Sequence, residues 1–319
     1  MKKTISIICA LALIFTLGTT ALAAPADESY VVGICQLVQH AALDAATEGF
    51  KAALTDKLGD SVSFLEQNAS GDSATCNIIC NQFVSEEVDL IMANATPALL
   101  AASSATNQIP ILGTSVTDYG SALAIDDWTG TTGTNISGTS DLAPLDGQAA
   151  MLNELFPDAK NIGLLYCSGE PNSKFQADTI APLLEEMGYN VTAYTFADSN
   201  DVAAVTQNAC DDVDVIYIPT DNTAASCAEA INNVAIVAGV PIIAGEEGLC
   251  SGCGVATLSI SYFDLGYATG EMAAEILVDG ADVSAMEIRY APTFTKKFNS
   301  INCETLGIEV PADYVAIGE

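Results

Sequence analysis

The sequence predicts an α/β protein built as two Rossmann-like lobes in one chain. Two observations carry this. From Tyr30 onward, short apolar stretches alternate with longer amphipathic ones; the alternation stops at a Gly/Thr/Ser-rich stretch, Thr129 to Asp141, and then restarts. Strands separated by helical segments imply parallel β-α-β units with right-handed crossovers, and two such series make two lobes.

The elements follow in order. Tyr30 to Cys35, apolar and β-branched, reads as a strand and Ala41 to Leu58 as a helix; Val62 to Gln67 reads as a strand and Ser73 to Ser85 as a helix. Val88 to Ala93 is the third strand, Pro97 to Thr106 a helix and Ile109 to Gly113 the fourth strand. After the interruption, helix Leu142 to Phe156 leads to strand Asn161 to Tyr166, and helix Asn172 to Met187 to strand Asn190 to Phe196. Helix Asp201 to Ala209 precedes strand Val213 to Pro219, and helix Thr223 to Ala238 precedes strand Val240 to Ala244. A further unit pairs strand Val255 to Ser259 with helix Tyr262 to Asp279; Ala285 to Tyr290 reads as one more strand, before a less regular tail.

The first residues have the layout of a secretory signal peptide. Lys2 and Lys3 precede an apolar run from Ile5 to Leu17 and the small-residue stretch Ala21-Leu22-Ala23-Ala24, with cleavage expected after Ala23 or Ala24. That run is short for a membrane anchor, which needs to span about 30 Å of hydrocarbon. Cys9, preceded by Ile8 within the apolar core, does not suit a lipoprotein signal. An exported, folded protein is the expectation.

Without Lys2 and Lys3, seven Lys and Arg stand against 41 Asp and Glu, a net charge near −34. Nucleic acid is excluded as a partner, because its binding draws on Lys and Arg contacts to phosphate. Nine cysteines follow the expected cleavage site: Cys35, Cys76, Cys80, Cys167, Cys210, Cys227, Cys250, Cys253 and Cys303. In an oxidising exterior, disulfides such as Cys250 with Cys253 or Cys210 with Cys227 are the first expectation. A zinc site from Cys76-x3-Cys80 plus Cys250-x2-Cys253 and a redox Cys250-x2-Cys253 motif are the alternatives; neither a metal nor another cofactor is expected.

In open α/β sheets ligands sit beyond the carboxyl ends of the strands, where helix starts present free N–H groups. Here those positions are Gln36 to Asp44 with the sole histidine His40, Asn94 to Pro97, Gly113 to Tyr119 and Gly138 to Asp141. In the second lobe they are Cys167 to Ser173, Pro219 to Thr223 and Gly245 to Gly248. Ser, Thr, Asp and Asn there are also the preferred helix caps, but their density exceeds one cap per helix. One arginine, Arg289, remains after cleavage, and these segments hold no lysine, so a phosphate or dicarboxylate would lack a cationic clamp. A single carboxylate suits helix N–H groups with Thr96, Thr139, Asn172 and Ser173, and an ammonium suits Asp221 or Asp118. Together these describe a zwitterionic amino acid.

These residues resemble the type I periplasmic binding proteins, and among them the transporter substrate-binding family with tryptophan- and tyrosine-binding members. The similarity runs from about Tyr30 onward, and its most specific pieces are Gly163 to Tyr166 with Glu170 to Ser173, Pro219 to Thr223, and Gly254 to Thr257 with Asp264 to Gly266 and Thr269 to Ala273. His40-Ala41-Ala42-Leu43-Asp44 resembles the family's first helix, where proline commonly stands at Ala41. The resemblance implies a hinge-bending receptor for an ABC importer that meets permease subunits, binds amino acids, often aromatic, and is no enzyme. A monomer is expected. It also implies a late helix returning to the first lobe, hence three chain crossings forming a hinge. Lobe 1 would comprise residues 25–141 and about 253–282, lobe 2 residues 142–252 and about 283–319. The implied contacts are Thr96, Thr117, Asp118, Thr139, Asp141, Glu170, Asn172, Ser173, Asp221 and Asn222. Two departures bear on the ligand: Cys167 replaces the family's asparagine, and Leu249 to Cys253 is inserted.

Other readings share part of this pattern. A sugar or nucleoside binder would stack its ligand on an aromatic ring, and Trp128 is the sole tryptophan. A ligand-sensing receptor would use the same fold and site. A hydrolase would need His40 paired with Cys35 or Cys167, in a chain without G-x-S-x-G.

Overall fold

The computed structural model describes residues 29–318. The secretory signal expected over 1–24 lies outside the described residues.

The first lobe runs β1 (Tyr30–Gln36), α1 (Ala41–Leu58), β2 (Val62–Asn68), α2 (Ser73–Ser85), β3 (Leu90–Asn94), α3 (Thr96–Ala105), β4 (Ile111–Val116), α4 (Tyr119–Ala122) and β5 (Ile136–Ser140). The second runs α5 (Leu145–Leu155), β6 (Asn161–Cys167), α6 (Pro171–Glu186), β7 (Asn190–Phe196), α7 (Val202–Asp212), β8 (Val215–Ile218), α8 (Asn222–Ser226), α9 (Ala228–Ala238), β9 (Ile242–Ala244), α10 (Glu247–Cys253) and β10 (Ala256–Ser259). The chain then returns through α11 (Tyr262–Leu277) and β11 (Arg289–Tyr290) to the first lobe, and ends in the second with β12 (Thr295–Phe298), α12 (Ser300–Leu306) and β13 (Val315–Ala316).

The two sheets are ordered β11-β5-β4-β3-β1-β2 and β13-β12-β10-β9-β8-β6-β7. All pairs in the first are parallel; in the second only β10 and β12 are antiparallel. Central strands β3 and β8 are buried along their whole length and, apart from Asn94 at the end of β3 and Tyr217 in β8, wholly apolar, as parallel strands covered by helices on both faces require. One face of the first sheet packs on α2 and α3 through Ile79, Phe83 and Leu99, the other on α1 and α11 through Phe50, Leu54 and Met272. The α1–α11 pair approaches closely because Gly49, Gly266 and Gly270 stand at the contact: a Cβ on Gly266 would overlap the carbonyl oxygen of Ala46.

Strand order reverses at the same place in both lobes. β2 and β3 flank β1, and β7 and β8 flank β6, so the connections leaving β1 and β3, or β6 and β8, diverge and open a crevice at their carboxyl ends.

Several expectations change. The lobe boundaries move, because hydrogen bonding puts β10, expected in lobe 1, in the second sheet and β11, expected in lobe 2, in the first. The chain still passes three times between the sheets, over 141–144, 260–261 and 291–294. The Gly/Thr/Ser-rich interruption hides strand β5, whose Gly138 at φ 144° lies against Gly113 with no room for a side chain. Helix Thr223 to Ala238 is two helices, broken at Cys227, and the inserted Leu249 to Cys253 lies in α10. Ala285 to Tyr290 is strand only at its last two residues.

The cysteines form no disulfide among the described residues: all nine are thiols. Cys250 and Cys253 share α10, where Cys253 Sγ donates to the Leu249 carbonyl oxygen at 3.4 Å, while Cys35, Cys76 and Cys80 join the first-lobe core. The four cysteines of the zinc alternative therefore sit in different lobes, two in α2 and two in α10.

Candidate functional site

A cavity of about 400 Å³ lies between the lobes at the two strand-order reversals. Leu37, Val38 and Pro97 line it from the first lobe, Cys167, Gly169, Glu170, Asn222 and Thr223 from the second. Behind this opening the lobes touch, and polar side chains are sealed between them.

Two hydrogen-bonded chains cross the contact. In one, His40 Nε2 lies 3.2 Å from Asn222 Oδ1, and Asn222 Nδ2 donates to Glu170 Oε2 at 2.7 Å. Asn172 Nδ2 donates to the same Glu170 oxygen at 3.2 Å. In the other, Gln176 Nε2 donates to Thr117 Oγ1 at 3.5 Å and to the Thr220 carbonyl oxygen at 3.2 Å. Thr117 in turn donates to Asp141, which also accepts the Tyr262 hydroxyl at 2.9 Å.

Helix capping separates the candidate residues into two groups. Asp118 is the N-cap of α4, accepting from Ser121 N at 2.7 Å, and Asp221 is the N-cap of α8, accepting from Ala224 N at 2.7 Å. These acids, read from the sequence as ammonium partners, each accept from a backbone N–H at the start of their own helix. Thr139, read as a carboxylate donor, bonds Thr114 and Thr269 within the first lobe at 3.2 and 2.8 Å. By contrast α1, α3 and α6, which start at the contact, have no side-chain cap. Ala95, at φ 91°, leads into α3, and Pro171 opens α6.

Beside these uncapped starts lie polar atoms sealed from solvent with no hydrogen-bond partner. They are His40 Nδ1, Thr96 Oγ1 and Asn172 Oδ1, with Ser115 Oγ and Asn94 Oδ1 on the first lobe's strand ends and Thr257 Oγ1 on β10. Such a group costs about 1–3 kcal/mol when left without a partner, so each of these atoms suits a partner from outside the chain, a water or a ligand. His40 and Ser115 fell within the polar segments but not among the selected contacts; the signal for His40 was its position at the start of α1.

The electrostatics favour a cation. Glu170 accepts from Asn222 N, Thr223 N and Thr223 Oγ1 at 3.0, 2.7 and 2.7 Å, besides the two asparagine amides. Asp221 lies beside it, bonded also by Cys167 N at 2.7 Å, and burial with the charge of Glu170 pushes its carboxyl up to about 8. Among the described residues neither acid has a Lys or Arg partner. Asp141 is raised to about 6 by burial, against its bonds from Tyr262 and Thr117. Burial lowers His40 despite its Asn222 bond and the charges of Glu170 and Asp44.

No Cys-His dyad forms among the described residues. Cys167 Sγ donates to the Ala197 carbonyl oxygen at 3.5 Å, and Cys35 is enclosed in the core. Trp128 packs on Gly120 and the first-lobe core and is not among the residues lining the cavity.

Two lobes meeting at their strand-order reversals around such a cleft agree with the sequence comparison, in which the profile of ABC transporter substrate binding proteins matches residues 31–316. The chain belongs to this family. A tyrosine-binding protein of Clostridioides difficile is 39% identical over 249 residues, 77% of this chain and 72% of that one. Among solved structures, an ABC domain in complex with L-Trp from Streptococcus pneumonia is 29% identical and superposes with a TM-score of 0.85 over 89% of this chain and 96% of that one. The ligand-free, open structure of a substrate binding protein with adhesive properties from Clostridium difficile is 36% identical but reaches 0.68, over 90% of this chain and 99% of that one. The relative closer in sequence thus has the lower TM-score at similar coverage.

Proposed function

We propose that this family member is the extracytoplasmic solute-binding component of an ABC importer, and that it holds a zwitterionic amino acid with an aromatic or apolar side chain between its lobes. The observation that carries this is the set of sealed, unpartnered polar atoms beside uncapped helix starts in both lobes. The N–H groups at the start of α3 and the Thr96 hydroxyl suit a carboxylate, since a helix start carries partial positive charge. Buried Glu170, beside Asp221 and without a Lys or Arg partner among the described residues, favours an ammonium nearby, which would lower the penalty of confining its charge. Asn172 and Asn222 would complete the polar end, with Thr117, Asp141 and Ser173 positioning the groups that touch the ligand.

The tyrosine-binding relative and the relative complexed with L-Trp support an aromatic side chain. A sugar reading loses its expected stacking ring, because Trp128 packs on its own lobe. Closing the lobes over the ligand would select the arrangement that the membrane permease recognises. Isothermal titration of the purified protein against the twenty amino acids tests the reading. Saturable heat with L-tyrosine or L-tryptophan is expected, and silence across the panel rejects it.

A further inference from the structure

The sole histidine of the chain bonds across the contact between the lobes, and its tautomer can be read from its neighbours. Asn222 uses its Nδ2 on Glu170, which turns Oδ1 toward His40. An amide oxygen only accepts, so Nε2 carries the proton and Nδ1 presents a lone pair. That lone pair is sealed and unpartnered. Asn172 repeats the pattern from the second lobe: its Nδ2 is used on Glu170, Ser173 and the Thr220 carbonyl oxygen, leaving Oδ1 as an acceptor with no donor. Both asparagine amides meet on the same Glu170 oxygen, so His40 and Asn172 belong to one network.

We propose that His40 Nδ1 and Asn172 Oδ1 are the acceptors for the ligand's ammonium group, one from each lobe, and that the His40–Asn222 bond couples this recognition to lobe closure. This rests on the amino-acid reading above and adds to it the atoms that read the amino end. Neutral acceptors do this work because the nearby acids are already engaged: Glu170 and Asp221 accept backbone and amide donors, Glu170 supplies the negative field, and the histidine and asparagine supply the geometry. An ammonium has three N–H donors and no acceptor, the complement of two lone pairs beside a carboxylate. Protonating His40 would replace its lone pair with a donor aimed at the ammonium.

The test compares L-tyrosine and L-tryptophan with their analogues lacking the amino group, 3-(4-hydroxyphenyl)propanoate and indole-3-propanoate, by calorimetry. His40→Ala is expected to weaken binding of the amino acid about 10- to 100-fold, the scale of a lost bond to a charged group. It should leave the deaminated analogue within about threefold, so the variant loses discrimination more than affinity at large. His40→Asn, whose Oδ1 reaches near the position of Nδ1, restores part of the preference. In the wild-type protein the amino-acid affinity falls as the pH drops and His40 gains its second proton; Glu170 and Asp44, the acids that face the ring, remain in His40→Ala, so the difference between the two profiles isolates His40. Unchanged amino-acid affinity in His40→Ala, or equal loss of both ligand classes, overturns the proposal while the amino-acid reading stands. Wild-type protein that binds neither amino acid overturns both.

Discussion

Thr96→Val separates a ligand-binding hydroxyl from a structural one, because the two roles predict opposite signs. Thr96 opens α3, is 2% exposed, and its hydroxyl has no partner among the described residues. A buried hydroxyl without a partner costs about 1–3 kcal/mol, so a methyl group in its place relieves a closed, empty protein of up to that amount. At roughly 2–4 °C per kcal/mol for a chain of this size, the melting temperature without ligand stays level or rises by up to about 12 °C. The rise is a ceiling, since an open arrangement of the empty protein lets water reach the hydroxyl. Binding moves the other way. Loss of a hydrogen bond to a ligand carboxylate, about 1.5–3 kcal/mol, weakens affinity roughly 10- to 150-fold. Differential scanning fluorimetry without ligand and calorimetry with L-tyrosine and L-tryptophan measure both. A lowered melting temperature with unchanged affinity would mean that the hydroxyl serves the fold, and the reasoning fails.

Three further outcomes follow from the packing and the buried acids. Glu170→Gln turns one acceptor oxygen into a donor facing the donors of Asn222 and Thr223; at roughly 3 kcal/mol the melting temperature should fall by about 6–12 °C, and an unchanged value would show that these bonds carry little. Gly266→Ala pushes α11 off Ala46 of α1 and should cost about 1–3 kcal/mol in a denaturant titration; a neutral result would mean that the helices separate freely. Asp141, Glu246 and Asp221 are raised to about 6, 7 and 8, chiefly by burial, against an unfolded carboxyl near 4. Between those limits the folded state binds more protons than the unfolded, so their contribution is greatest at low pH and is lost as pH rises through the folded values. Thermal scans should show stability falling between pH 5 and about 8, less steeply in Glu246→Gln, and a flat or rising profile contradicts the assignment.

Regular elements were legible where apolar periodicity is strong and local. Helices Ala41–Leu58 and Ser73–Ser85 and strand Asn190–Phe196 have the boundaries that their patterning predicts. Strand Ile136–Ser140 was illegible, because Ser137, Gly138 and Ser140 give it little apolar alternation; it pairs because Gly138 admits close approach to Gly113. The break at Cys227 and the helix through the Leu249 to Cys253 insertion likewise carry no strong local signal. Spacing alone suggested cysteine pairs, but whether two thiols meet depends on the helix faces that carry them.

For the site, residue types and their places after strands were readable, since β-α-β order by itself aims helix starts at one end of each sheet. Which polar residue caps a helix and which is left free was not. Asp118 and Asp221 turn back to their own helices, whereas Thr96 and Asn172 keep atoms unpartnered, and sequence position does not distinguish them. The role of His40 depends on Asn222, 182 residues away, held in place by Glu170. Composition and periodicity thus determined the two-lobed α/β class, the scarcity of positive charge and the cleft's location, because these are sums over local chain properties. Only the tertiary structure decided which hydrogen bonds close within a lobe and which atoms wait between lobes, because pairing depends on distances between segments far apart in the chain.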